Sequence, residues 1–407
     1  MKRIIIAWGI LPALLLSCQT NDPEPRKTER INIVLTKAEQ EIVRQNNIFA
    51  FDLLRTVSRN EEQGKNLLLS PLSASLALAM LNNGAAGQTQ QEIQETLGYG
   101  NITRDEMNGY FRKMLEAIRE ADTEVAFETA NSIWIRKDFP VLETFKDVNR
   151  EYYEAEVRNE DFSNPQTVGL INNWCADKTH DKIPDIIKQI DSDVVMYLLN
   201  ALYFKGMWTY QFDKKATEPE AFANSDGSET LTPVMNLKET LHHREGETFD
   251  LLELPYGNES FGMLILLPKE GVSLSSVVDA LDAETWENSL AGMYSKEVNL
   301  KLPRFKIEYE RKLNDDLKEM GMVSMFGPAD LSLIQPGRNL YVSMVKQKTF
   351  AEVNEEGTEA AAVTVVEMVE TALPSSPVLF HATRPFLYFI REQSTGTIFF
   401  SGAVQHF

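Results

Sequence analysis

The stretch NEEGTEAAAVTVVEMVETALPSSP, residues 354–377, begins with charged residues and a glycine, continues with small and β-branched residues, and ends rich in serine and proline. Alternate residues of a strand point to opposite faces, and one alternating face of this stretch carries no charge. That face consists of Thr358, Ala360, Ala362, Thr364, Val366 and Met368. Three consecutive alanines are nevertheless poor strand formers, and the stretch lies between a turn-like Gly357 and a loop. The pattern predicts a segment that enters a sheet conditionally.

The sequence on either side of this stretch predicts one α+β domain. A helix is indicated from about Thr36, where apolar residues recur at helical spacing, and another after Ser70-Pro71, because serine caps helices and proline suits their first turn. The segment Thr89–Glu92 has the spacing of a capping box, which predicts a further helix start there. Beyond Tyr197 the patterns become those of strands, and neither a repeat nor a linker interrupts residues 37–407.

The composition excludes several classes of function. The chain has 407 residues and a formal net charge of −20, so it would be repelled by a phosphate backbone and we expect no nucleic acid partner. Outside the N-terminus there is no run of 18 or more apolar residues, which excludes a polytopic membrane protein. The two cysteines, Cys18 and Cys175, provide no disulfide framework although the chain is expected to be exported.

The first residues are typical of an export signal. Residues 1–18 combine a basic start, an apolar run too short for a convincing spanning helix, and the ending Leu-Leu-Ser-Cys. This ending resembles the bacterial lipobox, whose cysteine thiol accepts a diacylglyceryl group. We therefore expect Cys18 to anchor an exported lipoprotein to the bacterial cell envelope, at the outer membrane. Residues 19–36 are predicted to be a flexible tether. The alternative is a plain secretory signal with an incidental cysteine.

The segment EEGTEAAA, residues 355–362, resembles the hinge of the inhibitory serpins. Other stretches resemble the same family in the same order, so the resemblance extends over nearly all of residues 42–404. They are NLLLSPLS (66–73), NNGAAGQT (82–89), LNALYFKGMW (199–208), LELPY (252–256), LPRFKI (302–307) and RPFL (384–387). The resemblance implies a single serpin-like domain over residues 37–407, with about three β-sheets, eight to nine helices and no cofactor.

The family's mechanism is carried by a reactive-centre loop, which the resemblance places at about residues 355–379. A protease attacks this mobile loop as a substrate, and the cut loop then inserts into the main sheet as an added strand and distorts the acyl-enzyme. The resemblance thus implies two neighbouring strands that can part, and a metastable state in which the segment from Gly357 is kept outside the sheet. It also implies an inhibitor of proteases rather than an enzyme, with a target endopeptidase as partner, and we expect a monomer.

The composition of the hinge favours an active inhibitor. An inward charge or a proline would slow insertion, because it would bury an unpaired charge or remove a backbone donor. No proline occurs before Pro374, and the inward positions near the hinge are small. We expect inhibition of serine endopeptidases, with cysteine endopeptidases as a further class; a non-inhibitory serpin is the alternative. The hinge residues are Glu355, Glu356, Gly357, Thr358, Glu359, Ala360, Ala361 and Ala362.

The scissile bond is expected at Thr371-Ala372, the usual loop length of the family when counted forward from Gly357. Glu370 supports this position independently, because it is the first charge on the inward face and an inserted strand should stop near it. Bonds beginning at Val369 or Glu370 remain alternatives. Small residues at the cut suit elastase- or subtilisin-like proteases, and Glu370 would suit a glutamyl-specific enzyme.

Four supporting residues are carried over from the resemblance. Ser70, Ser73 and Asn200 resemble the polar cluster beneath the strands that part, and Trp208 resembles the aromatic residue where the loop first enters. Ser70 and Trp208 also have simpler interpretations, as a helix cap and a core residue. Gln347 departs from many relatives, which have histidine there, so a pH-sensitive cluster is doubtful in this chain.

Other reactive residue types are present. Ser343 and Lys346 match the Ser-x-x-Lys motif of serine acyl enzymes, but the companion motifs of that class are absent, which leaves this function as a weak alternative. His242 and His243 are interpreted as a solvated pair rather than a metal site, since no third ligand lies at a telling spacing. Cys175 is predicted to be a buried thiol.

Overall fold

The computed structural model describes residues 29–123, 125–337, 339–358 and 376–407. Some of the residues predicted above to be functional lie outside this part of the chain. They are Cys18, Glu359, Ala360, Ala361, Ala362, Val369, Glu370, Thr371 and Ala372. Both ends of the reactive-centre loop, at Thr358 and from residue 376 onward, are within the described residues.

Helices occupy mainly the first half of the chain, as the sequence predicts. Thr36 caps the first helix in a capping box with Glu39, and Ser70 caps the second, whose first residue is Pro71. The helices of the described residues are α1 (Lys37–Asn60), α2 (Pro71–Asn82), α3 (Gly87–Thr96), α4 (Arg104–Ala121), α5 (Glu143–Tyr153), α6 (Gln166–Lys178), α7 (Leu274–Ala280), α8 (Ala283–Ala291) and α9 (Asn314–Glu319).

The predicted start of α3 at Thr89 is wrong. The helix begins at Gly87 after Ala86, and no side chain caps it. Thr89 is instead buried within the helix, where its hydroxyl accepts a hydrogen bond from the amide of Asp330 at 2.9 Å and another from the hydroxyl of Ser324 at 3.0 Å. A tertiary contact therefore uses the oxygen that a capping box would have needed.

The strands form two sheets in the part of the chain that the structure describes. They are β1 (Leu67–Leu69), β2 (Ala126–Arg136), β3 (Glu156–Glu160), β4 (Met196–Met207), β5 (Glu218–Ala223), β6 (Glu229–Arg244), β7 (Phe249–Tyr256), β8 (Phe261–Pro268), β9 (Tyr294–Pro303), β10 (Phe305–Lys312), β11 (Lys346–Val353), β12 (Gly357–Thr358), β13 (Val378–His381), β14 (Phe386–Glu392) and β15 (Ile398–Val404). The nine-stranded sheet has the order β1-β15-β14-β8-β7-β6-β9-β13, with β5 paired to β6. Only three residue pairs join β6 to β7, so the nine-stranded sheet divides there into two smaller sheets. Together with the six-stranded sheet these make three, and the prediction of about three sheets is confirmed.

The six-stranded sheet is the one that bears on function, and we call it the main sheet. Its order is β10-β11-β12-β4-β2-β3. Helix α2 packs behind β4, whereas α6 lies against β2 and β4 on the other face, where the rings of Trp134 and Trp174 meet edge to face at 6.1 Å. The apolar core fills the space between the sheets and the helices, and the α+β fold predicted from the sequence is confirmed.

The segment just before α1 lies against the domain. Ile33 is buried and its amide donates to Ser394 Oγ at 2.9 Å, while Arg30 donates to Gln393 Oε1 at 3.1 Å. The described end of the predicted tether is therefore packed, because its apolar side chain has a place in the core and its polar groups find partners. Among the described residues, no helix has the length and apolar character needed to cross a membrane.

Candidate functional site: the hinge and the slot in the main sheet

Strand β12 lies between β11 and β4 and is only two residues long. Thr358 is opposite Val353 on one side and Gly206 on the other, and Gly357 is opposite Met207. Among the described residues, β4 and β11 have no register with each other, so the two strands are held apart along a slot that β12 enters at one end. The expectation that the chain stays outside the sheet from Gly357 onward is therefore wrong for its first two residues. A tight turn after β11 brings them directly alongside β4.

The turn is formed by the four residues Asn354 to Gly357. The Asn354 side chain accepts hydrogen bonds from the amides of Glu356 at 3.0 Å and Gly357 at 3.3 Å, and the Asn354 amide donates to the Gly357 carbonyl at 3.0 Å. Asparagine suits this position because its short side chain can bond to the backbone two residues on. The chain therefore leaves β11 and returns within four residues.

Gly357 cannot be replaced without moving the strands. Its φ is +154°, and a Cβ added there would lie 2.1 Å from the carbonyl oxygen of Gly206 and 2.7 Å from the Cα of Met207. Such contacts are far shorter than van der Waals distances, and both atoms belong to backbone that cannot rotate away. The glycine that the sequence marked as a turn is thus what allows β12 to fit beside β4.

Glu355 is the buried charge of the hinge, with 2% of its surface exposed. Its carboxylate accepts hydrogen bonds from the Arg304 guanidinium, at 2.7 Å from Nε, and from the Thr217 hydroxyl at 2.5 Å. Burial alone would raise the pKa of Glu355, but the bonds from Arg304 and Thr217 outweigh it and lower the pKa below its ordinary value. Glu356 pairs with Lys214 at the surface. Both glutamates therefore fasten the turn to neighbouring elements.

Trp208 lies beside the turn and the start of β12. Its ring is 3% exposed and stacks on the ring of Tyr256 at 4.3 Å, and its Nε1 donates to the Asn354 carbonyl at 2.8 Å. Its amide also donates to the Glu356 carbonyl at 2.9 Å. The tryptophan thus supports both the turn and the start of β12.

Thr358 faces inward, as the alternating pattern predicts. It is 3% exposed, and its hydroxyl is 2.7 Å from that of Tyr256, which is fully buried. Burial raises the pKa of Tyr256 far above its ordinary value, so it stays a neutral hydrogen-bonding group. The sequence did not indicate that Tyr256, Arg304 and Thr217 are parts of the hinge. The first two occur within stretches that resemble the family, but only the fold brings them to Glu355 and Thr358.

The polar cluster is divided between the two walls of the slot. On the β11 side, the amide side chain of Gln347 exchanges two hydrogen bonds with the Ser70 backbone, at 2.9 and 2.8 Å. The Ser70 hydroxyl donates to the Phe399 carbonyl at 3.0 Å and accepts from the Ser73 amide at 3.3 Å. Ser70 is therefore both a helix cap and a link to β11, and Gln347 makes that link with an uncharged group.

On the other wall, Asn200 bonds to β2 rather than to the serines. Its Nδ2 donates to Asn131 Oδ1 at 2.6 Å, while its buried Oδ1 has no hydrogen-bond partner among the residues that the structure describes. Ser73, Asn200 and Gln347 all line one cavity of about 150 Å³, bounded by α2, the first half of β4 and residues 339–347. Of the predicted cluster, Ser73 and Asn200 thus line this cavity and Ser70 does not, and the buried Asn200 acceptor on the β4 wall is left unused.

The remaining candidates are explained by the fold. Residues 341–345 belong to no helix and Lys346 begins β11, so Ser343 and Lys346 are not on the shared helical face that a Ser-x-x-Lys catalyst uses. Lys346 instead pairs with Glu310 at 2.8 Å. Cys175 is a buried free thiol, and burial raises its pKa to about 12. That thiol is therefore protonated and unreactive at neutral pH.

The interpretation of both histidines as solvated is wrong. His242 is exposed, 3.9 Å from the Glu253 carboxylate, but His243 is 2% exposed. They are neighbours on β6, and successive residues of a strand point to opposite faces, so only one can reach solvent. The described residues contain no cluster of potential metal ligands, here or elsewhere.

Comparisons with known proteins agree with this architecture. The family profile described as "Serpin (serine protease inhibitor)" matches residues 44–407. Iripin-8 of Ixodes ricinus is 34% identical over 385 residues, covering 91% of this chain and 94% of its own. Among solved structures, the thermophilic serpin tengpin in its native state has a TM-score of 0.84 at 29% identity, covering 93% of this chain and 100% of its own. Human thyroxine-binding globulin has a TM-score of 0.83 at 29% identity, covering 91% and 99%.

Proposed function

The chain belongs to the serpin family, and from this premise we propose that it is an inhibitor of serine endopeptidases that traps its target by inserting the cleaved loop into the main sheet. Cysteine endopeptidases are a second target class. The single observation that carries the proposal is the position of β12: its two residues already pair with both β11 and β4, at the entrance of a slot between strands that are held apart. A strand that has begun to insert needs only to continue.

The two walls of the slot accept the same loop residues if insertion continues in register. In an antiparallel pair the sum of the two residue numbers is constant along the strands. This sum is 564 for pairing with β4 (358 + 206) and 711 for pairing with β11 (358 + 353). The cavity beyond β12 is lined by residues 193–200 on the first wall and 339–347 on the second. Subtraction assigns loop residues 364–371 to the first wall (564 − 200 to 564 − 193) and 364–372 to the second (711 − 347 to 711 − 339), so that 364–371 are common to both.

The chemistry of the cavity suits this assignment. In that register Thr364 lies opposite both Asn200 and Gln347, on the same inward face as Thr358. Its hydroxyl is a donor, and Asn200 Oδ1 is a buried acceptor without a partner among the described residues. A hydrogen bond between them would remove the cost of leaving that oxygen unsatisfied. In the same register, the apolar Val366 would lie between Leu198 and Val345, both of which line the cavity. Met368 would lie opposite Met196, which lines the β4 side of the cavity.

The end of the cavity supports a scissile bond at Thr371-Ala372. Residue 371 would lie between Asp193 and Leu340, and the hydroxyl of Tyr341 donates to the Asp193 carboxylate at 2.8 Å across this end of the slot. An inserted Glu370 would come next to this pair and be repelled by Asp193. Insertion therefore has a stopping point one residue before the proposed cut; bonds beginning at Val369 or Glu370 remain the alternatives.

The proposal is tested with a panel of endopeptidases. Elastase- and subtilisin-like enzymes should form a complex that survives boiling in detergent, and the released C-terminal fragment should begin near Ala372. Trypsin should form little or none. Loop cleavage without any stable complex, across the whole panel, would instead support a non-inhibitory serpin, the class suggested by the thyroxine-binding globulin likeness. Nitrocefin turnover lost in Ser343→Ala would revive the acyl-enzyme alternative.

We further propose that the protein is lipid-anchored through Cys18 to the cell envelope, with the outer membrane as the expected site. The Leu-Leu-Ser-Cys ending and the preceding apolar run support this. Mass spectrometry of the mature N-terminus should find a diacylglyceryl modification on Cys18, and Cys18→Ala should release the protein into the soluble fraction. A mature chain that begins at another residue without lipid would contradict the anchor.

A further inference from the structure

The segment that leads into α1, residues 29–36, carries two large apolar side chains on the outside of the domain, and we call it the entry segment. Ile31 is 51% exposed, and Val34, at 80%, is the most exposed large apolar residue of the part of the chain that the structure describes. Ile33 is buried, and Leu35 is half-buried against the core. Single exposed apolar residues are common on protein surfaces, so the attachment, the charge and the position of this segment decide what the two residues mean.

The entry segment is attached to the domain at several points. The Ile33 amide donates to Ser394 Oγ at 2.9 Å, in the turn after β14, and Asn258 Nδ2, in the turn after β7, donates to the Glu29 carbonyl at 3.4 Å. At its other end Thr36 caps α1. With Ile33 occupying the place in the core, Ile31 and Val34 are held on the outer surface.

The charge around the entry segment is opposite to that of the rest of the protein. Residues 26–37, RKTERINIVLTK, contain four basic residues and one acidic residue, a net charge of +3, whereas the remaining residues carry −23 (−20 − 3). Arg30 is exposed and donates to the uncharged side chain of Gln393 at 3.1 Å, a bond that leaves its positive charge available. Basic groups beside exposed apolar side chains suit the surface of an anionic bilayer.

The position of the entry segment along the chain brings it to a membrane if Cys18 is lipidated. Ten residues, 19–28, separate Cys18 from Glu29. A chain of ten residues spans at most about 35 Å when extended and about 17 Å on average when flexible. A lipid on Cys18 would therefore hold the entry segment close to the bilayer, where even a weak contact forms because it is intramolecular.

We propose that the entry segment is a second membrane-contact site, in which Ile31 and Val34 enter the interface of a bilayer that contains anionic phospholipid and Arg30 binds a lipid phosphate. This inference rests on the proposed lipid anchor, which brings the segment to the bilayer. The anchor holds the protein on the membrane, and the entry segment gives the domain one orientation there, because its attachments fix one side of the domain against the surface.

The test follows a fluorescent probe on vesicles made of equal parts of phosphatidylcholine and phosphatidylglycerol. The lipidated protein carries Val34→Cys labelled with the fluorophore NBD; Cys175 is buried and remains unlabelled. Its emission should shift to the blue on the vesicles and be quenched by spin-labelled lipid. Arg30→Gln should lower the ratio of inserted to free probe about fivefold, the factor expected for one basic residue near an anionic surface.

Two matched controls separate a specific contact from general adsorption. A probe at Leu231→Cys, on a residue that is 74% exposed near the start of β6, should remain in water. Arg59→Gln removes one positive charge at the other end of α1, about 35 Å from the entry segment by the rise of a helix of 24 residues, and should leave the ratio unchanged.

A probe at position 34 that stays in water, or one that shifts no more than the probe at position 231, would overturn the contact site. Ile31→Cys provides a second probe that is judged by the same criterion. A blue shift that rises with protein concentration in the absence of vesicles would place a second copy of the chain on this surface and would also overturn it.

A further arm makes the outcome independent of the anchor. Residues 1–18 are replaced by a histidine tag, and the protein is captured on nickel-chelating lipid in the same vesicles. Insertion of the probe there, in a protein whose Cys18 is unmodified in cells, would keep the contact site and reject the anchor. Lipidated Cys18 without insertion in either arm would do the reverse.

Discussion

Replacement of Gly357 by alanine tests whether the fit of β12 beside β4 is what starts insertion. The added Cβ would lie 2.1 Å from the Gly206 carbonyl oxygen, so β12 must leave the sheet. It would lose three interactions: the Asn354 amide to the Gly357 carbonyl at 3.0 Å, the Trp208 amide to the Glu356 carbonyl at 2.9 Å, and the 2.7 Å bond between Thr358 and a tyrosine hydroxyl. At about 1 kcal/mol net each, the loss is about 3 kcal/mol.

Two assays follow from this. Urea unfolding should show Gly357→Ala to be destabilised by about 3 kcal/mol. The number of inhibitor molecules consumed per trapped protease should also rise, because a slower start of insertion leaves more time for the acyl-enzyme to hydrolyse. The control is Gly227→Ala, whose φ is +83° but whose added Cβ would meet no atom within 4 Å. It should cost only the backbone strain, about 1 kcal/mol, with no effect on inhibition. Equal behaviour of the two variants in both assays would refute the reasoning.

Further predictions concern the faces and the charges of the hinge. Ala362→Arg places a charge on the inward face and should convert an inhibitor into a substrate, whereas Ala361→Arg faces outward and should leave protease trapping intact. Because the pKa of Glu355 is lowered, its contribution to stability is present above its ordinary pKa of 4.5 and is lost as the pH falls through its folded value. Glu355→Gln should therefore be less stable than the parent at pH 7, by about 1–2 kcal/mol. The difference in stability should shrink below about pH 4. If the difference does not depend on pH, the pairing with Arg304 is not its cause. Thr358→Val should lose about 1 kcal/mol in urea unfolding by removing the hydroxyl partner of a buried tyrosine, and no loss would contradict that bond.

The sequence predicted those features that depend on neighbouring residues. The starts of α1 at Thr36 and α2 at Ser70 are determined by local capping, and both were predicted correctly. The inward orientation of Thr358 follows from strand alternation alone. Family resemblance added the expectation of about three sheets and eight to nine helices. Helix capping and strand alternation act within a few residues, and the family resemblance rests on sequence motifs that are themselves specific.

The features that the sequence did not predict depend on distant contacts. Arg304 and Glu355 are 51 residues apart, and only the turn after β11 brings them together. Gly357 approaches the backbone of Gly206 and Met207 closely, and nothing in the loop sequence indicates that this part of β4 will be its neighbour. The start of α3 was predicted wrongly because Thr89 bonds to Asp330 rather than to its own helix. Local patterns cannot indicate which of several partners a polar group will use.

The most direct test of the account compares the thermal unfolding of the intact protein with that of the same protein cleaved once in the loop. Insertion as an added strand would make about a dozen further backbone hydrogen bonds, worth about 12 kcal/mol in total at about 1 kcal/mol each. With an unfolding entropy of about 0.8 kcal/mol/K for some 370 residues, this raises Tm by about 15 °C. We expect the cleaved protein to unfold at least that much higher than the intact one. If both forms unfold at the same temperature, the sheet has not accepted the loop and the proposed mechanism is wrong.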